Sequence, residues 1–157
     1  MAKQELKIRI HDYKKVEAKL TTLGAEFVKE LDVVDSYFKQ IPGDVLKMNE
    51  SSVGGTMLIK LRLKDGKFEM LKQESVDDVQ RLKTELTEEF GLKCVLKKKI
   101  RFFDFEDYEI SLNMIEDVGE FLILEGENLS PEIITEKLGI EDPEFITVSF
   151  DELKRVS

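Results

Sequence analysis

"MLIKLRLKDGKFEMLK", residues 57–72, places Asp65-Gly66 between two runs in which apolar and charged residues alternate. Alternation with period two is the mark of a β-strand, and an Asp-Gly pair between two such runs marks a tight hairpin. Lys60, Arg62 and Lys64 share the polar face of the first strand, and Lys72 ends the second. The same pattern recurs at "ELKIRI" (5–10), where Leu6, Ile8 and Ile10 oppose Lys7 and Arg9. "VLKKKIRFFDF" (95–105) puts Lys97, Lys99 and Arg101 on one face, with Lys98, Ile100 and Phe102 on the other. Four strands thus carry cations, and helices covering the apolar faces would leave the basic ones together. Two readings remain open. The strands form a solvated sheet in which lysine guards the edges, or they close round a polyanion that offsets the cost of gathering like charges.

The chain around these strands is acidic: 157 residues carry a formal net charge of -9, and the pI is 4.8. That averaged field disfavours a general binder of nucleic acid or anionic membrane, though not a local basic pocket. One cysteine, Cys94, and one histidine, His11, exclude a disulfide framework and a cysteine–histidine zinc site. Cys94 reads more simply as a small core residue than as a nucleophile, His11 as a surface residue than as a catalytic one, and Phe102, Phe103 and Phe105 as core or rim hydrophobes. A metal would need hard oxygen ligands. No apolar run approaches a membrane span and the opening residues lack a signal-peptide core, so a soluble cytoplasmic protein is expected. The length suits one domain, 1–157.

Helical patterns separate the strands. Asp12 caps and Gly24 ends a helix over "DYKKVEAKLTTLG"; Ser75 and Gly91 are the expected bounds of a second. Ser130 and Pro131 open a third, and Ser149 with Glu152 forms a capping box before "FDELKRV". "KQIPGDVLKMNESSVGG" (39–55) reads as a long connection. The passages "KLTTLGAEFVKELDVVDSYF" and "ELTEEFGLKCVLKKKIRFFDF" echo each other, which suits a pseudo-two-fold sheet of two strand–helix–strand halves.

Taken in order, "KQELKIRI", "LGAEFV", "DSYF", "LIKLRLKDGKFEMLK" and "ISLNMIEDVGEFLILEGE" resemble a CYTH domain, in the branch that contains class IV adenylate cyclases, over nearly the whole chain. The resemblance implies an α+β fold: a closed antiparallel β-barrel of about eight strands, flanked by helices, forming a triphosphate tunnel. It implies ATP, thiamine triphosphate or tripolyphosphate as ligand, magnesium or manganese as cofactor, and cyclisation or hydrolysis as chemistry. A homodimer is left open. Carried over by motif, the family's E-x-E-x-K falls on Lys3, Glu5 and Lys7, its R-x-R on Lys60 and Arg62, and its T-x-K on Met70 and Lys72. Its basic strand falls on Lys97, Lys99 and Arg101. The resemblance therefore assigns triphosphate to Lys7, Arg9, Lys60, Arg62, Lys72, Lys97, Lys99 and Arg101, and metal to Glu5 and Glu125. Lys3, Asn113 and Ile123 stand where the family carries acids. An active magnesium- or manganese-dependent cyclase or triphosphatase is one expectation. The other is a weak or inactive triphosphate-binding module that has lost metal ligands. "KQESVDDV" (72–79) also leaves little room for a strand that the family usually has there.

Overall fold

The computed structural model describes residues 3–154. Its strands are β1 (Gln4–Ile10), β2 (Glu26–Phe38), β3 (Asp44–Ser51), β4 (Gly55–Lys64), β5 (Lys67–Ser75), β6 (Leu92–Phe105), β7 (Tyr108–Ile115), β8 (Gly119–Gly126) and the short β9 (Glu144–Phe145). All pair antiparallel in the order β5-β4-β3-β2-β6-β7-β8-β1, and β1 also pairs with β5, which closes eight strands into a barrel. β9 adds to the free half of β1 through Ile8 and Arg9. The α+β barrel expected from the sequence is therefore present. The two long strands, β2 and β6, each follow a helix and lie side by side over twelve paired positions.

Helices α1 (Tyr13–Thr22) and α2 (Val79–Glu89) cover different parts of the outside. Asp12 caps α1 by accepting from the Lys15 backbone N–H, and Gly24 leaves it at a φ of 96°. Below α1, Leu20 packs on Leu6, Ile8 and Ile10 of β1 and on Phe103 and Phe105 of β6. The cap of α2 is Asp78 and not Ser75, because β5 continues through Ser75. Leu86 of that helix packs on Phe38, Leu46, Met48 and Leu58.

The expected long connection at 39–55 contains β3. Val45 faces the barrel interior while Leu46 and Met48 face α2, so both sides are buried and no alternation betrays the strand. No strand lies between β5 and α2, as the short stretch 72–79 implied, and the barrel still has eight strands with β3 among them. The third helical stretch is a π-type turn over Ile133–Lys137 that begins without a side-chain cap. The final helix α3 (Phe150–Leu153) lacks the Ser149 side-chain cap, since the Glu152 N–H donates to the Ser149 carbonyl at 3.0 Å, and the Glu152 side chain pairs with Lys93. Residues 155 and 156 of that stretch lie outside the described residues. Among the described residues no helix is long and apolar enough to cross a membrane.

Candidate functional site

Register fixes what the barrel encloses, because residues directly opposite on antiparallel strands share a face. Lys7 of β1 lies opposite Ile123 of β8, which lies opposite Ser111 of β7. Lys98 of β6 lies opposite Ile115 of β7 and Val33 of β2, and Tyr37 of β2 lies opposite Lys47 of β3. These residues point inward, together with Asp35, Asn49, Asn113, Leu61 and Phe68.

At the centre is Asp35, 0% exposed. Lys98 Nζ donates to its Oδ2 at 2.6 Å and to the Tyr37 hydroxyl at 2.8 Å. Lys47 Nζ donates to the same carboxylate oxygen at 3.2 Å, and Asn49 Nδ2 to Oδ1 at 2.7 Å. Lys7, 3% exposed, has no carboxylate within ion-pair distance among the described residues. Its ammonium lies 4.2 Å from the ring centre of Phe68 and 4.3 Å from that of Phe150, a desolvated cation–π pocket. Phe150 also stands 4.8 Å from Lys98. Two lysines therefore bond a single fully buried aspartate, and a third is buried on aromatic faces.

The electrostatics follow from that imbalance. Burial lowers Lys7 to about 8, with Glu5 opposing and Lys47 adding to the fall. Burial likewise lowers Lys98 to about 7, against the attraction of Asp35 and with repulsion from Lys47 and Lys7. Burial alone would raise Asp35, but Lys47 and Lys98 outweigh it and hold the carboxyl far below the usual range. A cleft of about 360 Å³ opens at the end of the barrel near α3 and reaches Tyr37 and Phe68, the residues against Lys98 and Lys7; its lining also carries Asp44, paired with Arg62, and Asp151 and Glu152, paired with Lys93.

Of the cations expected to meet here, Lys7 lies in the interior and Arg9 stands at its rim, bound to Glu144 at 2.6 Å. Lys60, Arg62, Lys72, Lys97, Lys99 and Arg101 occupy the opposite, outer face. In β4 the inward positions are Ile59, Leu61 and Leu63. Arg62 pairs outside with Asp44, and Lys60 lies opposite Lys72. Arg101 fastens α1 to the barrel through Glu17 and reaches Glu30, which Lys99 also approaches. The physical reason is coverage. α1 lies over β1 and draws its apolar face outward, whereas the corresponding part of β4 has only solvent outside and turns its apolar face in. One parity does not serve every strand. Lys97 and Lys99 border a broad cleft of about 870 Å³ that also touches the inward Val33, Lys98 and Ile115, and in it Asp32, Glu50, Glu116 and Glu120 outnumber the three lysines.

Asp35, Lys47 and Lys98 were not singled out from the sequence. A signal existed in each: an aspartate inside "VVDSYF", a lysine inside "VLKM", and the middle lysine of "KKK" on the face of Leu96 and Ile100.

The expected metal ligands Glu5 and Glu125 lie directly opposite each other, and Glu109 lies opposite Glu125 on its other side. Lys3 Nζ sits 2.5 Å from Glu125 Oε1. Asn113, 2% exposed, donates to Ser111 Oγ at 3.0 Å, and Ile123 packs in the interior apolar cluster. Among the described residues no group of three acids, histidines or cysteines is disposed to hold a metal. A divalent ion is poorly matched to a carboxylate already taken by an ammonium, with the alkyl chain of Ile123 next above it.

No family model matches the chain. It is 28% identical over 141 residues, 80% of this chain and 77% of the other, to a Methanocaldococcus jannaschii protein provisionally named an adenylate cyclase. A solved Pyrococcus horikoshii protein superposes with a TM-score of 0.85 at 22% identity, covering 98% of this chain and 99% of that one. A Hippeastrum protein, provisionally an adenylyl cyclase and described by a dominant triphosphatase activity, superposes with a TM-score of 0.66 at 14% identity, covering 98% and 97%. The chain is thus similar in sequence to a protein named an adenylate cyclase, and shares its fold with solved proteins that include one so named.

Proposed function

We propose that the protein binds a small polyphosphate or organic triphosphate inside the barrel, through Lys7, Lys47 and Lys98. The observation that carries this reading is the charge imbalance around Asp35. Burying ammonium groups is costly unless something answers them. One aspartate bonds Lys98 and Lys47, while Lys7 has aromatic faces against it and no bonded carboxylate, only the more distant charges of Glu5, Asp151 and Asp35. An elongated anion entering past Tyr37 and Phe68 would supply the missing negative charge and bridge the ammoniums as point charges. The named activity of the Hippeastrum relative and the name of the Methanocaldococcus one support triphosphate as the class of ligand. The seating of Lys3 and the placement of Asn113 and Ile123 favour a weak or inactive binder over a metal-dependent cyclase or hydrolase. Lys7 keeps the role that the resemblance gave it. Lys60, Arg62, Lys72, Lys97, Lys99 and Arg101, on the outer face, take no part.

Calorimetric titration with tripolyphosphate, ATP and inorganic phosphate tests the proposal. Tripolyphosphate or ATP is expected to bind at least tenfold more tightly than phosphate. Lys7→Met and Lys98→Met should each weaken that binding at least tenfold, whereas Arg62→Glu leaves it within twofold. Equal weak binding of all three ligands, or loss only in Arg62→Glu, contradicts the reading. Incubating the same ligands with and without magnesium or manganese and resolving the products separates binder from enzyme: rapid metal-dependent turnover would remove the inactive half of the proposal.

A further inference from the structure

We propose that Lys3 supplies, from within the chain, the positive charge that the facing carboxylates Glu5, Glu109 and Glu125 require, so that the barrel takes its anionic ligand without a divalent metal. The first half of this inference stands on geometry alone, and the second rests on the phosphate-binding reading.

Three strands bring the acids into one inward row, with Glu5 opposite Glu125 and Glu125 opposite Glu109. Three carboxylates at adjacent cross-strand positions repel one another unless a cation lies among them. Lys3 is two residues before Glu5 and shares its face, and its ammonium makes the 2.5 Å contact with Glu125. The backbone holds it there: the Met70 N–H donates to the Lys3 carbonyl at 2.9 Å, extending the ladder between β1 and β5 past Gln4. Burial and then Glu5 push the Glu125 carboxyl up, with Lys3 pulling it back. The Lys3 amine is raised in turn, first by its hydrogen bond to Glu125 and also by the charges of Glu125, Glu109 and Glu5.

A divalent ion at this place would have to displace that amine. Magnesium usually takes one or two carboxylates and completes six positions with water and phosphate oxygens. Further into the barrel the next inward positions are the apolar Ile123 and, opposite it, Ser111, whose hydroxyl already accepts from the Asn113 amide one position deeper. The ammonium is tethered and matched to a single carboxylate oxygen, so it answers Glu125 with no loss of bound water from an ion. Glu125 is thereby paired, which lessens the negative field that the row near Gln4 sets against an anion seated deeper, at Lys7 and Lys98.

The test has two arms. In the first, manganese chloride is titrated by calorimetry into the parent, Lys3→Met and Lys3→Glu proteins with no phosphate present, each checked for folding by thermal melting. The parent is expected to show no manganese binding below millimolar concentration, and Lys3→Glu to bind at least tenfold more tightly. Should Lys3→Glu not fold, Lys3→Met is expected to show the same gain to a smaller degree. A Glu125 carboxyl titration by NMR should also move upward in Lys3→Met. A parent that binds manganese as tightly as the variants, or variants that gain nothing, overturns the role of Lys3. In the second arm, tripolyphosphate is titrated into the parent in EDTA and in magnesium. Binding no tighter with magnesium is expected, and a requirement for magnesium overturns metal independence. No tripolyphosphate binding in either condition would defeat the phosphate reading, while the manganese titrations would still decide the role of Lys3.

Discussion

Lys98 donates two hydrogen bonds from a position only 5% exposed. With Lys7 it makes the site a proton-linked one. Both amines titrate lower in the folded protein than in an unfolded chain, whose lysines lose their protons near 10.5. The sign follows: their contribution to stability is fully present above 10.5 and is lost as pH falls through about 8 for Lys7 and about 7 for Lys98. A polyanion makes the opposite demand, since it is held by ammonium and not by neutral amine. Binding of tripolyphosphate at pH 8 should therefore take up protons. Calorimetry in two buffers of different ionisation enthalpy checks this, and identical apparent enthalpies would count against Lys7 and Lys98 as the contacts. Asp35 has the complementary role. Replacing it by asparagine leaves Lys98 and Lys47 without their counter-charge, and loss of one member of a buried pair costs about 3–5 kcal/mol. Denaturant unfolding of Asp35→Asn at neutral pH should show a loss of that size.

At the scale of elements, the hairpin of β4 and β5 was legible because its turn leaves few choices. Asp65 and Gly66 both have positive φ, 54° and 78°, as a two-residue turn matching strand twist requires. A Cβ on Gly66 would meet nothing within 4 Å, so Gly66→Ala tests the backbone alone. A loss of about 1 kcal/mol is expected in urea melts, and an unchanged midpoint would mean the turn relaxes freely. β1 and the cap of α1 at Asp12 were equally plain, since one strand face is wholly aliphatic and the helix begins and ends on residues that cap it. β3 was hidden for the opposite reason. Val45 and Leu46 are buried on opposite faces, and Pro42, Gly43, Asn49 and Ser51 imitate a loop. The inward side of β6 was also hidden. "KKKIR" carries cations of both parities, and only the position of α1, fastened by Arg101 to Glu17, decides which lysine enters the barrel. The site was therefore readable at Lys7, whose strand is unambiguous, and unreadable at Lys98, Lys47 and Asp35, whose facing depends on distant cover.

For the whole molecule, closure rests on unequal seams. β1 pairs with β8 at seven positions but with β5 at only two, Gln4 with Glu69 and Glu5 with Phe68, before β9 takes over the rest of its edge. Few paired backbone groups mean a low free energy of local opening, so this seam should exchange its amide protons before the long β2–β6 pair does. The seam also borders the proposed site: Phe68 on β5 and Phe150 on α3 hold the Lys7 ammonium between them. A ligand that engages Lys7 draws on β1 from inside the barrel and is expected to tighten its junction with β5, favouring the closed arrangement by its differential affinity for it. Hydrogen exchange read by mass spectrometry should show rapid exchange at the Met70 amide and its β5 neighbours in the free protein. Tripolyphosphate should slow these amides at least tenfold while leaving β7 nearly unchanged. Seam amides already as protected as those of β6 would show that two register pairs suffice to lock the barrel. Slowing confined to β3 and β4 would place the anion on Lys47 alone and remove Lys7 from the site.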